Sequence, residues 1–174
     1  MASNGASPAR GYPLAMIPVA LLSVLAGVLG GPGPVHEGRS YTPYRDAGGV
    51  WTVCAGVTGA AIRPSRIYTQ AECDRLETTY IQQMFHALGD CVDGTFTEYE
   101  VRAWGHFAYN IGTTAFCRST AARRLNAGER QGACAEISKW VYVHGKDCRQ
   151  PASNCAGIVA RRAWERALCE GRLR

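Results

Sequence analysis

The sequence predicts an α+β domain behind an apolar amino-terminal segment, and three observations carry that reading. Residues Gly11 to Val35 contain no charged side chain. The turn signal Asp46-Ala-Gly-Gly49 feeds the β-prone run Val50-Trp-Thr-Val-Cys54, the pattern of a hairpin or small sheet within Tyr41 to Thr58. From Thr69 onward the chain reads as amphipathic helices behind Ser and Thr caps. Together these describe a small antiparallel sheet or hairpin lobe, a mainly helical lobe, and a membrane segment in front of both.

As one helix the 25 residues of the apolar segment would span about 37 Å against a hydrocarbon core of ~30 Å, long enough to cross a bilayer. Thirteen of them are Gly, Pro, Ala or Ser, and Pro32 and Pro34 break the far end, so the hold on lipid is weak. Arg10 is the only positive side chain ahead of it, which keeps the amino terminus cytoplasmic and sends the remainder across. The chain thus divides into a signal-anchor over residues 1–35 and a domain over 36–174. A cleaved signal peptide, with small-residue sites at Val28 and Gly30, is the competing reading. A buried core helix is the third, disfavoured because core helices rarely run this long without a polar face.

At 174 residues and 47% hydrophobic content the chain can build one real core, not two. The net charge of +5 comes from Lys and Arg spread along the second half, without the interleaved aromatics of a nucleic-acid surface; it suits an anionic envelope polymer. Eight cysteines lie at 54, 73, 91, 117, 134, 148, 155 and 169, with no CxxC pair and no zinc-type Cys/His spacing. Disulfides formed in an oxidising compartment are the economical reading. Cys148 and Cys155 flank the turn-rich stretch Arg149 to Asn154 and pair first; the partners of the other six stay open.

Helix starts are marked by capping boxes at Thr69-Gln-Ala-Glu72 and Thr97-Glu-Tyr-Glu100, the second running through Val101, Trp104, Phe107 and Ala108 to about Ile111. Ser119 caps a helix over Ala121 to Asn126 that Gly128 closes, and a further helix is expected from Ala133 to Tyr142, ahead of Gly145. The last runs from Gly157 to about Cys169, with Ile158, Trp164 and Leu168 facing inward. Trp104, Trp140 and Trp164 sit at helical positions and read as core. His36, His86, His106 and His144 show no ligand spacing, so no metal site is expected.

Glu37, Asp46 and Thr52 form a Glu-x8-Asp-x5-Thr pattern that places two carboxylates and a hydroxyl on a helix end and an adjacent hairpin. Glycoside hydrolysis uses such a set: one carboxylic acid protonates the leaving oxygen while the other carboxylate handles water or the oxocarbenium-like charge. The spacing alone recurs by chance, and the residues around it say more. Glu37-Gly38, Tyr44-Arg-Asp46, Gly49-Val-Trp-Thr52 and Gly56-Val-Thr58-Gly resemble the signature of the phage lysozymes, glycoside hydrolase family 24. The resemblance continues through Phe107-Ala-Tyr-Asn-Ile-Gly112, Phe116-Cys-Arg-Ser-Thr120, Leu125-Asn-Ala-Gly128 and Gly157-Ile-Val-Ala-Arg-Arg162 with Glu165, in order over nearly all of 36–170.

The resemblance implies a lysozyme-like fold and an endolysin that hydrolyses the β-1,4 bond between N-acetylmuramic acid and N-acetylglucosamine without a cofactor. It implies Glu37 as general acid, Asp46 assisting water or stabilising charge, and Thr52 positioning the water. Arg161 would lie close to the acid and help set its ionisation, and Asn110 would sit near the sugar. Trp51, beside the proposed site, is a candidate for lining the sugar cleft. The anchored, signal-arrest-release endolysins match best: a monomer acting on peptidoglycan, held in the host inner membrane by its amino-terminal segment and released to the periplasm. One departure is visible. Where the family commonly reads Gly-Tyr-Gly-His-Thr, this chain reads Cys54-Ala-Gly-Val57-Thr, so the histidine and its ion pair are missing. The alternatives are a lytic transglycosylase, which the presence of Asp46 and Thr52 argues against, and a catalytically silent wall-binding protein of the same fold.

Overall fold

Two apolar cores and one long helix between them organise the fold. The computed structural model describes residues 11–22, 38–46, 48–60 and 62–173. Near the amino terminus β1 (Tyr12–Pro13) leads into a 3-10 turn at Leu14–Met16 and a helical turn over 19–22. The strands β2 (Ser40–Arg45), β3 (Trp51–Cys54) and β4 (Val57–Thr58) form an antiparallel sheet in that order, with Tyr44 opposite Thr52 and Thr52 opposite Thr58. The long helix α1 (Gln70–Gly89) follows. A short β5 (Thr95–Phe96) then leads to α2 (Glu98–Ile111), α3 (Thr113–Cys117), α4 (Thr120–Asn126) and α5 (Arg130–Ile137). A hairpin of β6 (Tyr142–Val143) and β7 (Lys146–Asp147) precedes the last helix, α6 (Ala156–Cys169).

Both capping boxes form: Thr69 accepts from the Glu72 N–H and Thr97 from the Glu100 N–H, and each glutamate reaches back to its cap. Ser119 caps α4 through the Ala122 N–H. The smaller core lies under the sheet, where Val53, Val57, Ile62 and Tyr68 close around the Cys54–Cys73 disulfide. The larger one gathers Ile81, Phe85 and Leu88 of α1 with Trp104 and Phe107 of α2, Phe116, Ile137 and Leu168. The first turns of α1 therefore serve the sheet and its last turns serve the helical lobe, which makes α1 the strut that sets the two lobes against each other.

Four disulfides link Cys54–Cys73, Cys91–Cys117, Cys134–Cys169 and Cys148–Cys155, the last being the pair expected from its turn-rich loop. The helix expected over Ala133 to Tyr142 instead starts at Arg130 and stops at Ile137. Tyr142 and Val143, both good strand formers, pair with Asp147 and Lys146 across a tight turn, whose His144 (φ 48°) and Gly145 (φ 77°) adopt the left-handed backbone a two-residue hairpin loop demands. In α6, Leu168 is buried as expected, but Ile158 and Trp164 are only half-buried. The inward stripe carries Arg161, Arg162 and Glu165, a charged face no hydrophobic pattern announces. Trp104 is fully buried, whereas Trp140 packs half-buried against the ring of Phe107.

Residues 11–22 belong to the stretch assigned to the anchor, and here they are folded into the helical lobe. Tyr12 pairs with Phe96 and Pro13 with Thr95, while Leu14, Leu21 and Leu22 are buried in the larger core. Ala15 lies so close to Gly89 that a Cβ on that glycine would sit 2.4 Å from the Ala15 Cβ and 2.6 Å from its backbone nitrogen. Among the described residues no helix is long and apolar enough to cross a membrane. The rest of the assigned anchor, residues 23–35, lies outside the described residues.

Candidate active site

The turn between β2 and β3 is built around one carboxylate. Asp46 Oδ1 accepts the backbone N–H groups of Gly48 and Val50, each at 2.9 Å, and its own N–H donates to the Val50 carbonyl at 3.0 Å. Gly49 completes the turn at φ 76°, a conformation glycine adopts without strain. With Oδ1 held by the backbone, Oδ2 is left facing Thr52, whose Oγ1 lies 3.5 Å away and also donates to the Val50 carbonyl at 3.1 Å. Thr52 is almost fully buried in the sheet, so its hydroxyl has a fixed position beside the carboxylate.

Asp46 and Gly48 form one wall of a cleft of about 620 Å³. The facing wall comes from the helical lobe: Asn110 and Ile111 at the end of α2, Trp140, the β6 hairpin with His144, and Ile158 and Arg162 of α6. Arg162 is 2% exposed, and its guanidinium donates to Asn110 Oδ1, to the Trp140 carbonyl at 3.0 Å and to Glu165, while lying over the ring of Phe107. The orientation of Asn110 is thus set by Arg162, and that of Arg162 by Glu165. Glu165 is completely buried, and its Oε1 has no hydrogen-bond partner among the described residues. Burial pushes its carboxyl up to about 7, against the opposing pull of Arg162 and Arg161.

Of the residues singled out from sequence, the structure brings Asp46, Thr52 and Asn110 to this cleft or its edge. Glu37 lies outside the described residues. Arg161 is buried on α6 near Glu165, its expected nearness to Glu37 lies outside the described residues, and its neighbour Arg162 lines the cleft. Trp51 is not part of the lining; its ring packs under the Arg45 guanidinium, 4.6 Å away, and Arg45 in turn donates to the Gly49 carbonyl. Sequence does not mark Arg162, because two adjacent arginines that both turn inward give no sign of which one reaches the cleft wall. The i, i+4 spacing of Ile158 and Arg162 was the available signal, since both face the cleft from one side of α6.

At the position of the missing family histidine stands an apolar side chain. Val57 is an ordinary member of the smaller core, and the sheet is tied to α1 by Glu77. That carboxylate, 1% exposed, accepts two parallel bonds from Nε and Nη2 of Arg39 and the Ala55 N–H at 3.0 Å, while Arg39 Nη2 also pairs with the more exposed Asp74 at 3.0 Å. Burial works against the charge on Arg39, but Glu77 outweighs it and holds the guanidinium above its ordinary range. The Cys54–Cys73 disulfide adds a covalent tie at the same place. Cys54, Cys73 and Glu77 are the one group among the described residues whose donor atoms lie close enough for a metal ion; the sulfurs are joined to each other and Glu77 is engaged by Arg39, so the group has no ligands to offer.

A sheet lobe and a helical lobe facing across a carboxylate-bearing cleft define a lysozyme-like glycosidase. The phage lysozyme family model matches residues 35–165. An endolysin described as a SAR-endolysin from Enterobacteria phage PA-2 is 36% identical over 152 residues, 87% of each chain. Another, from Bacteriophage PS119, is 34% identical over 166 residues, covering 94% of this chain and 95% of its own. A probable prophage lysozyme of Escherichia coli K12 is 35% identical over 136 residues, covering 76% of this chain and 77% of its own. Among solved structures, the muramidase domain of SpmX from Asticaccaulis excentricus superposes with a TM-score of 0.65 at 23% identity, over 87% of this chain and 92% of that one. A mutant of P22 lysozyme superposes with a TM-score of 0.64 at 23% identity, over 86% and 94% respectively. The chain belongs to the phage lysozyme family. It is a glycoside hydrolase, an endolysin that cleaves peptidoglycan.

Proposed function

We propose that the enzyme hydrolyses the β-1,4 bond between N-acetylmuramic acid and N-acetylglucosamine, with Glu37 as general acid and with Asp46 and Thr52 preparing the water. The observation that carries this reading is the pinned Asp46: two backbone donors hold Oδ1, which leaves Oδ2 and the Thr52 hydroxyl side by side at the cleft edge. A carboxylate and a hydroxyl so placed orient a water molecule, the carboxylate taking up its proton, while Glu37 as the acid protonates the leaving oxygen. Asn110, fixed by Arg162, faces them as the polar contact for the sugar. Glu37→Gln keeps the shape of the acid without its proton, and turnover of purified peptidoglycan should fall by roughly 100- to 10,000-fold. The fragments released by the unsubstituted enzyme should carry the mass of an added water, not that of an anhydro sugar. Wild-type-like lysis by Glu37→Gln would remove Glu37 from this role.

The same chain is held in the inner membrane, amino terminus inside, before release to the periplasm. The similarity to relatives described as SAR-endolysins supports this reading, and because Leu14, Leu21 and Leu22, buried in the folded core, cannot also lie in lipid, anchored and folded states compete for one segment. Glu37 follows Val35 by two residues, so an anchor spanning the bilayer pins the acid at the membrane surface and leaves the site unassembled. Small residues near the exit end weaken the hold, and loss of the membrane potential weakens it further. Replacing Gly27, Gly30 and Gly31 with Leu should keep the protein in the membrane fraction and abolish lysis after the potential is collapsed; lysis by that embedded variant would overturn the release mechanism.

A further inference from the structure

Three recesses follow one another across the protein. The cleft holding Asp46 shares Ile111 with a second recess of about 480 Å³, between Tyr80, Tyr109 and the start of α3. The second shares Tyr80 with a third, of about 330 Å³, which belongs to no part of the catalytic cleft described above. Its floor is one face of α1, with Glu72, Arg75, Thr79 and Gln83, and its far side is Thr58 and Arg66. We infer that this third recess binds the acidic peptide stem that peptidoglycan carries on its muramic acid residues, with Arg75 as the cationic contact. The inference rests on peptidoglycan being the substrate.

Length, charge and surface all suit such a guest. From Glu72 to Gln83 the helix face runs about 16 Å at 1.5 Å per residue, and an extended peptide of four residues spans about 13 Å. Of the charged groups in the recess, Glu72 is already engaged. Its Oε2 accepts the Thr69 N–H at 2.8 Å and the Thr69 hydroxyl at 2.9 Å, and its Oε1 is paired with Arg66, which also lies over Tyr68. Arg75, one turn further along, is exposed and makes no hydrogen bond or ion pair among the described residues; it feels only the through-space attraction of Glu72, which Thr69 and Arg66 already hold. With Arg66 and Arg75 against the single charge of Glu72, the recess keeps one positive charge in excess and one guanidinium without a hydrogen-bonded partner among the described residues, the group best shaped to grip a carboxylate by two parallel bonds. Tyr68 and Tyr80 add apolar walls for the stem's backbone and methyl groups. The direction also fits. The Asp46 cleft meets the second recess at Ile111 and the second meets the third at Tyr80, whose ring stands edge-on to Tyr109 at 5.6 Å, so the three form one continuous route for a stem projecting from a strand in the cleft.

The test compares two substrates on the full-length protein: glycan strands with their stems, and the same strands stripped of stems by an amidase. Arg75→Glu should lower kcat/KM on stem-bearing strands by about tenfold, Arg75→Ala by roughly fivefold, and Arg75→Lys by less than either, with the differences shrinking as salt is raised. On stripped strands all three should stay within about twofold of the parent. In parallel, binding of a free acidic stem peptide to the Glu37→Gln protein should be detectable and lost in the Glu37→Gln, Arg75→Glu double variant. Equal losses on both substrates, or no loss on either together with no peptide binding, would overturn the assignment. Peptide binding that persists in a protein turning over neither substrate would leave the recess standing and count against the hydrolase reading instead.

Discussion

Asp46 combines two duties in one side chain, and its two oxygens separate them. Oδ1 shapes the β2–β3 turn through Gly48 and Val50, while Oδ2 faces Thr52. Asp46→Asn can keep an acceptor at the Oδ1 position, so the variant should fold with a midpoint within a few degrees of the parent while losing about 100-fold or more in turnover. Collapse of the fold would instead mean that the charge itself holds the turn. Glu165 offers a different readout. Its carboxyl, raised from 4.5 to about 7, binds a proton more tightly in the folded state than in the unfolded chain. The stability this group contributes is complete below about pH 4.5 and is lost as pH rises through about 7, on the order of 3 kcal/mol over that window. Urea unfolding at pH 5 and pH 8 should show the decline, and Glu165→Gln should flatten it. An unchanged pH slope in that variant would place the titration elsewhere. Asp46 and Thr52 were legible from sequence because their local pattern is also their local structure. Arg162 was not, because its place in the cleft depends on which way α6 turns against α2.

The sheet and α1 are held together by more than one kind of bond, and each can be removed separately. Glu77→Ala would leave the Arg39 guanidinium and the Ala55 N–H without their shared acceptor, at a cost of about 3 kcal/mol. Loss of the Cys54–Cys73 link, which closes a separation of 19 residues, should cost about the same in the chain-entropy account. Because both act on one lobe contact, the double variant should depart from additivity, which thermal unfolding of the four proteins would reveal. Strict additivity would mean the two ties act on separate contacts. No cysteine precedes Cys54, so a thiol exchange from the anchor has no attacking sulfur, and blocking thiols before release should leave activation unchanged. Most helices were readable from their caps. Sequence does not distinguish the β6 hairpin from a longer helix, because Gly145 marks either the end of a helix or a tight turn, and only the pairing of Tyr142 with Asp147 separates the two.

At the scale of the whole molecule, the amino-terminal residues matter more than a leader would. Residues 11–22 supply a strand to β5 and three leucines to the larger core, and they cross α1 where only Gly89 lets them approach. Gly89→Ala would push a methyl group into the Ala15 backbone and should destabilise this docking by about 1–3 kcal/mol. Limited proteolysis should then cut within 11–22 faster than in the parent, and activity should fall in step with the cut fraction. Protection equal to the parent's would mean the segment adds nothing to the finished fold.

The sequence by itself determined the class of the protein, its division into a sheet lobe and a helical lobe, the Asp46 turn and the Cys148–Cys155 pairing. Each of these is local: a turn residue, a cap or a short loop acts on neighbours a few positions away, where chain connectivity already brings the groups together. Tertiary structure decided what depends on contacts between distant segments. It set the other three disulfides, the presence of Arg162 in the cleft wall, and the tie of Arg39 and Ala55 to Glu77. It also placed Leu14, Leu21 and Leu22 in the core. An apolar run has the same composition whether it faces lipid or protein, because both environments exclude water; only the groove between α1 and β5 makes the protein side available to it.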